Sequence, residues 1–221
     1  MKKKKATKYI NNIAYRNGRA WVFKPQKIMF LQVPKNASSS IRHAFGTTSK
    51  TPRVNLNTKN GLRGYKKFAI IRNPNERFVS GLIECLGSTA PSNLKELRRK
   101  SDIELLTGFL NVLEKGFFEP HTAPQVAFLI NREGKLFDLD ELLIFENLDV
   151  DFKLFCQKHG IKVELGHRNV NVGTIKARRD RLIDIVNTNQ AIRKRVEMLY
   201  HEDWVLYGKT LLNVLKRDNR P

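Results

Sequence analysis

The chain has 221 residues, 41% of them hydrophobic, enough to bury one substantial core, so a single domain is expected. Lys and Arg number 41 against 21 Asp and Glu, a formal charge of +20 that favours anionic partners: nucleotides, nucleic acid, acidic glycans or a membrane surface. Cys85 and Cys156 make no disulfide framework and have no metal-ligand spacing, so they read as core residues of a protein in a reducing, cytoplasmic compartment.

The chain starts MKKKKATKY, basic but with no apolar stretch after it, which does not read as a secretory signal. No apolar run approaches the roughly 20 residues of a membrane helix, so a soluble protein with no integral membrane segment is expected. Residues 1–26 read as a basic lead-in, with Trp21, Val22 and Phe23 packing on the core. Residues 28–33 are short and continuously apolar, the pattern of a buried strand. The run breaks at Pro34, then gives Lys35, Asn36, Ala37, Ser38, Ser39 and Ser40. A helix follows to residue 45, with Ile41, Ala44 and Phe45 spaced to face the core. Strand, small-residue turn and helix make an anion site: backbone N–H groups are unpaired at a helix start, and the dipole puts partial positive charge there. Hydroxyls and the Lys35 ammonium add to it, so the turn reads as a cradle for a phosphate or sulfate. It is not G-x-x-x-x-G-K-[ST], because the lysine precedes the small residues, and this weakens an NTPase reading.

Residues 46–66 are a long polar loop. Residues 67–71 (KFAII) predict a second buried strand, which ends on Arg72-Asn73-Pro74 and leads into a helix over 75–86. Arg72 at the strand's carboxyl end and Ser80 two helical turns on suit a second phosphate. The plainer alternative pairs Arg72 with a carboxylate and leaves Ser80 as a packing residue. A turn at 87–93, a short basic helix at 94–99 and an amphipathic helix at 102–115 come next. Residues 117–125, with two prolines, read as irregular, and 126–130 as a strand or the start of a short helix. A turn around Gly134 leads to a strand at 142–145, ending on Glu146-Asn147, then a helix at 150–159 closed by Gly160. Residues 166–173 form a polar loop, 181–186 and 191–200 are helical, 201–208 close the fold, and a tail from 209 is helical to 216. Strands alternating with helices imply an α/β fold with a parallel sheet flanked by helices.

In this order the segments resemble a known family. VPKNASSSIR is similar to the P-K-x-x-[ST]-[ST] loop that holds the 5′-phosphosulfate in sulfotransferases using 3′-phosphoadenosine-5′-phosphosulfate (PAPS). RNPNERFVSGL is similar to their R-D-P-x-E-R-x-V-S segment for the 3′-phosphate. The form resembles the carbohydrate branch (chondroitin, dermatan and heparan-uronyl enzymes). HTAPQ at 121–125 is similar to its H-x-x-P-Q, FENL with Asp151-Phe152 to its F-E-x-L…D-F, and HRNVN at 167–171 to its P-H-x-N-x-S. Residues 200–208 resemble its Y-x-x-D-[FW]-x-x-[FY]-G ending. Asn73 stands in place of the usual Asp, Gly166 in place of Pro and Asn171 in place of Ser.

The resemblance implies a P-loop-like three-layer fold with a central, mainly parallel sheet, a sulfotransferase domain at 27–208 and a C-terminal tail at 209–221. It implies PAPS as co-substrate, its desulfated product PAP, no metal, and an acceptor hydroxyl on a glycan that can itself be anionic. Lys35 would stabilise the leaving phosphate, Asn36, Ala37, Ser38, Ser39 and Ser40 would hold the 5′-phosphate by backbone N–H and hydroxyl, and Arg72 and Ser80 would hold the 3′-phosphate. His167 and Asn169 would join the donor site from the later loop. Histidine suits the general base near neutral pH. Of His43, His121, His159, His167 and His201, the favoured base is His121 in its Pro-bracketed segment, with Glu146 second. Two rivals stay open: a P-loop-like kinase of a small acceptor, and a basic nucleic-acid-binding module without enzymatic activity.

Overall fold

The computed structural model of the protein describes residues 19–56, 64–87, 96–166 and 173–218. The apolar runs form a five-stranded sheet of order β3-β1-β2-β4-β5, with β1 at Arg19–Phe23, β2 at Ile28–Leu31, β3 at Arg53–Asn55, β4 at Lys66–Ile71 and β5 at Glu141–Ile144. β2 pairs parallel with β4 and β4 with β5, whereas β1 runs antiparallel to both β2 and β3. β1 alone opposes the common direction, so the expected parallel sheet is a mixed one.

Residues 19–23 correct the reading of 1–26 as a lead-in. RAWVF lies in basic surroundings, yet four of its five residues are buried. A tight turn over 24–27, closed by the Lys27 N–H donating to the Lys24 carbonyl (3.2 Å), folds β1 back onto β2. The polar loop at 46–66 likewise contributes the edge strand β3.

Successive strand residues face opposite sides of a sheet, and β2 and the last four residues of β4 are apolar at every position because both sides are covered. Ala20, Val22, Met29, Leu31, Ala69 and Ile71 pack on one side with Phe78, Val79, Leu82 and Leu110. Trp21, Phe23, Ile28, Phe30, Phe68 and Ile70 pack on the other with Ile41, Phe152 and Phe155. The second layer is supplied by α1 (Ser38–Ala44) and α5 (Leu148–Lys158). The first comes from α2 (Pro74–Cys85), α3 (Asp102–Glu114), α6 (Gly173–Thr188), α7 (Gln190–Leu199) and α8 (His201–Asp218), with the single turn α4 (Val126–Leu129). Both cysteines are buried and free; burial pushes the Cys85 thiol up to about 12 and Cys156 to about 11, so neither is a reactive thiolate.

Helix ends follow their chemistry. Asn73 caps α2, its Oδ1 accepting from the N–H of Asn75 (3.0 Å) and Glu76 (3.3 Å), with Pro74 in the first turn. Asn serves that cap as Asp would, so the departure at 73 leaves the local structure intact. Residues 126–129 resolve as helix, not strand, and the tail from 209 is part of α8. Of the expected basic helix at 94–99, residues 96 and 97 are helical and 98 and 99 form a turn, while 94 and 95 lie outside the described residues. Among the described residues no helix is long and apolar enough to cross a membrane.

The carboxyl ends of β2, β4 and β5 reach one edge of the sheet, where residues 32–37, 72–73 and 145–147 depart. Open α/β sheets bind ligands in the crevice at that edge.

Candidate active site

The turn after β2 is shaped by Asn36, which is fully buried and points into the protein. Its Nδ2 donates to the Ile70 carbonyl (2.8 Å) and to Gln125 Oε1 (2.6 Å). Pulling residue 36 inward leaves Lys35 and Ala37 in the left-handed region, at φ 69° and 54°. For residues with a Cβ this conformation costs on the order of 1–3 kcal/mol, sustained here by the Asn36 anchor. Left-handed residues flanking an ordinary one turn successive N–H groups into a concavity that receives anions. Ala37 occupies the cap position of α1 and offers no side-chain acceptor, so the N–H groups there are left without a side-chain cap. Ser38 Oγ donates back to the Val33 carbonyl (3.1 Å) and closes the turn. The Asn36 side chain is turned inward, so what this residue can offer an anion is its backbone N–H, the group expected of it.

The turn after β4 carries Arg72, 5% exposed. Its Nη2 donates to Glu76 Oε2 (2.8 Å), its guanidinium lies 4.2 Å from the centre of the Phe145 ring, and its Nε has no hydrogen-bond partner among the described residues. Arg72 thus has the carboxylate partner of the plainer alternative, and with the buried Ser80 it also lines the cleft. Arg77, 1% exposed, lies beneath the cleft floor; its Nε donates to the Pro34 carbonyl (3.1 Å) and its Nη1 to the Ala123 carbonyl (2.7 Å).

Gln125 joins these parts. Its Oε1 accepts from Asn36 and from the Arg72 N–H (2.9 Å), and its Nε2 donates to the Arg72 carbonyl (2.8 Å). The N–H groups of Gln125 and Val126 both donate to Asp203, at 2.7 and 2.9 Å, and the Tyr200 hydroxyl donates to the Thr122 carbonyl (2.6 Å). Burial pushes the Asp203 carboxyl up to about 6, against the opposing pull of Arg77 and the backbone donors. The HTAPQ and YHEDW segments thus act as a frame that fixes both anion turns and His121.

His121 is half-buried on the cleft wall. Burial lowers its pKa below the ordinary histidine value; Glu84 and Glu119 oppose the shift, and Lys35 and Arg77 reinforce it. Lys35 Nζ lies 3.0 Å from Glu84 Oε2, and that hydrogen bond holds the Glu84 carboxyl below its usual range. Glu84 was not found from the sequence. The available signal was spacing: it lies four residues after Ser80, on the same face of α2. Gly81, between them, lets the helix touch the backbone of His121; a Cβ there would sit 2.3 Å from the His121 carbonyl oxygen. Glu146 accepts from the Asn73 N–H (2.8 Å) and the Tyr207 hydroxyl (3.3 Å). Loss of water around it raises its carboxyl, the Asn73 bond working the other way.

One cleft of about 990 Å³ brings together Lys35, Ala37, Ser38, Ser39, Ser40, Arg72, Ser80, His121 and Glu146. Its wall also holds Glu84 and four arginines absent from the predicted set, Arg19, Arg42, Arg53 and Arg179. His43 and His201 are exposed, and His159 packs against Phe155. His167 and Asn169 lie outside the described residues. The arrangement offers two adjacent strand-to-helix turns able to receive anions, a lysine in the first of them, and an imidazole whose pKa burial lowers.

Comparison with protein-family models matches residues 18–210 to the sulfotransferase family. No curated protein and no solved structure matches the chain.

Proposed function

The chain belongs to the sulfotransferase family, and from that premise we propose that it moves a sulfuryl group from PAPS to an acceptor hydroxyl on a carbohydrate. The observation that supports the donor assignment is that the turns after two neighbouring parallel strands, β2 and β4, open into one cleft. Neighbouring strands lie about 5 Å apart, a spacing that suits one ligand with two anionic ends. The turn at Lys35, Ala37, Ser38, Ser39 and Ser40 takes the 5′-phosphosulfate. Arg72 and Ser80 take the 3′-phosphate, the group that separates PAPS from simpler adenylates, and His167 and Asn169 complete the donor site.

The acceptor oxygen attacks sulfur in line with the bond to the 5′-phosphate. As the S–O bond forms, the S–O bond to phosphate breaks and its electron pair stays on the phosphate. Lys35 stabilises that charge, and His121, neutral near pH 7, takes the hydroxyl proton. No step calls for a metal ion. Arg42 and Arg53 stack on Trp21, with guanidinium-to-ring distances of 5.3 and 4.8 Å, and with Arg19 they give the rim a positive field suited to a glycan carrying its own charge.

Incubation with radiolabelled PAPS and a glycan panel tests the reading. Lys35→Ala should lower transfer by about 10³-fold, the scale of losing one charged stabiliser, and Arg72→Ala should raise the PAP dissociation constant. Full transfer by either variant refutes the donor site. PAP should raise Tm without added Mg²⁺. Stabilisation by ATP·Mg²⁺ alone would indicate the kinase, and tight duplex binding without PAP binding the nucleic-acid module.

A further inference from the structure

Lys35 is the residue on which the proposed chemistry turns, yet its ammonium is engaged in this structure. Nζ lies 3.0 Å from Glu84 Oε2, across 49 residues of sequence. The Lys35 side chain is 25% exposed and that of Glu84 50% exposed, so the pair stands at the wall of the cleft, not in the core. Its direction is set from both ends. The left-handed backbone at Lys35 is held by the buried Asn36, and Glu84 projects from α2 one turn beyond Ser80. The same stretch of wall holds His121, whose backbone rests on α2 at Gly81. The charged groups that act on the imidazole are Glu84, Lys35, Glu119 and Arg77.

We infer that Glu84 is a positioning residue that holds Lys35 away from the anion turn until donor binds, and then turns its charge to His121. This rests on the PAPS reading above. An incoming phosphosulfate competes with one carboxylate for one ammonium. While Glu84 holds Lys35, the 5′-phosphate has the serine hydroxyls and backbone N–H groups but not the full charge. Once Lys35 swings to the oxygen bridging sulfur and phosphate, the Glu84 carboxylate loses its cation. The neighbouring imidazole then gains the acceptor proton beside an uncompensated negative charge. One carboxylate thus weakens donor binding before the reaction and stabilises the imidazolium formed during it. Because the pair is partly exposed, its strength is that of a surface ion pair, enough to tune binding but not to block it.

Glu84→Gln keeps the shape and removes the charge, and at a half-exposed position it should leave Tm unchanged. PAP binding is read by calorimetry, and turnover by PAP release from PAPS with water as acceptor. Glu84→Gln should tighten PAP binding by about three- to fivefold, the equivalent of one exposed ion pair. The gain should vanish in Lys35→Ala/Glu84→Gln. The acid limb of turnover should move to lower pH, because the imidazolium has lost its carboxylate; a merely structural carboxylate would not move it. A folded Glu84→Gln protein with unchanged or weaker PAP affinity overturns the inference while wild-type PAP binding leaves the donor site standing. Absence of PAP binding by both proteins overturns the donor site and the inference with it.

Discussion

A histidine serves as a base only if it is neutral when the hydroxyl arrives, and burial on the cleft wall gives His121 that state. The sign is direct. With its folded pKa below the ordinary 6.5, the imidazole is free to accept a proton throughout the neutral range. Turnover should therefore hold at pH 7 and fall only below the ordinary histidine value, as protonation removes the base. The same depression makes the folded protein bind this proton less tightly than the unfolded chain, so its contribution to stability is present above about 6.5 and lost as pH falls further. His121→Ala should lower turnover by about 10²–10⁴-fold, the usual worth of a general base, abolish that acid limb and keep PAP affinity. Unchanged turnover would move the role to Glu146 or His167. Residue types made the irregular segment around His121 legible, because its two prolines break regular structure. They did not reveal Glu84, whose significance is a contact 49 residues away. Nor did they reveal the anchoring of Asn36: a polar residue in a polar turn gave no sign that its amide would be buried against Ile70 and Gln125.

At the scale of elements, the short apolar runs of β2 and β4 were legible because strands covered on both faces are continuously apolar. β1 was hidden because five residues inside a basic segment carry too little periodicity, and its burial comes from pairing on both sides with β2 and β3. The fit of α2 against the HTAPQ segment was not legible either, since it depends on the absence of a side chain. Gly81 has ordinary helical geometry and in isolation would be improved by alanine, by about 1 kcal/mol of helix propensity. Here the added Cβ would meet the His121 carbonyl oxygen at 2.3 Å, backbone that cannot rotate aside. Overpacking of this kind costs about 1–3 kcal/mol, so the clash outweighs propensity. Gly81→Ala should lower Tm by several degrees and, by displacing His121, lower kcat more than it raises the KM for PAPS. A variant as stable and active as wild type would show that α2 does not set the position of His121.

For the whole molecule, composition fixed the sign of the field but not its location. The formal charge of +20 belongs to the full chain, whereas the cleft wall concentrates part of it as Lys35, Arg19, Arg42, Arg53, Arg72 and Arg179. Against these stand Glu84, Glu146 and Asp149, so the proposed anionic donor would meet an attractive field before any contact forms. A concave site focuses such a field and raises the rate of encounter. Salt removes the long-range part first: the screening length falls from about 10 Å at 0.1 M to about 3 Å at 1 M. Contacts inside the cleft, at hydrogen-bond distance, are screened much less. Raising NaCl from about 0.05 to about 0.5 M should therefore lower kcat/KM for PAPS by about tenfold, within the range of electrostatic steering, with kcat nearly constant. Stopped-flow measurement of PAP association separates the two effects, because steering resides in the on-rate and the contacts of Lys35 and Arg72 in the off-rate. A salt-independent on-rate would assign the excess charge to solubility or to the acceptor, leaving donor capture to the two anion turns alone.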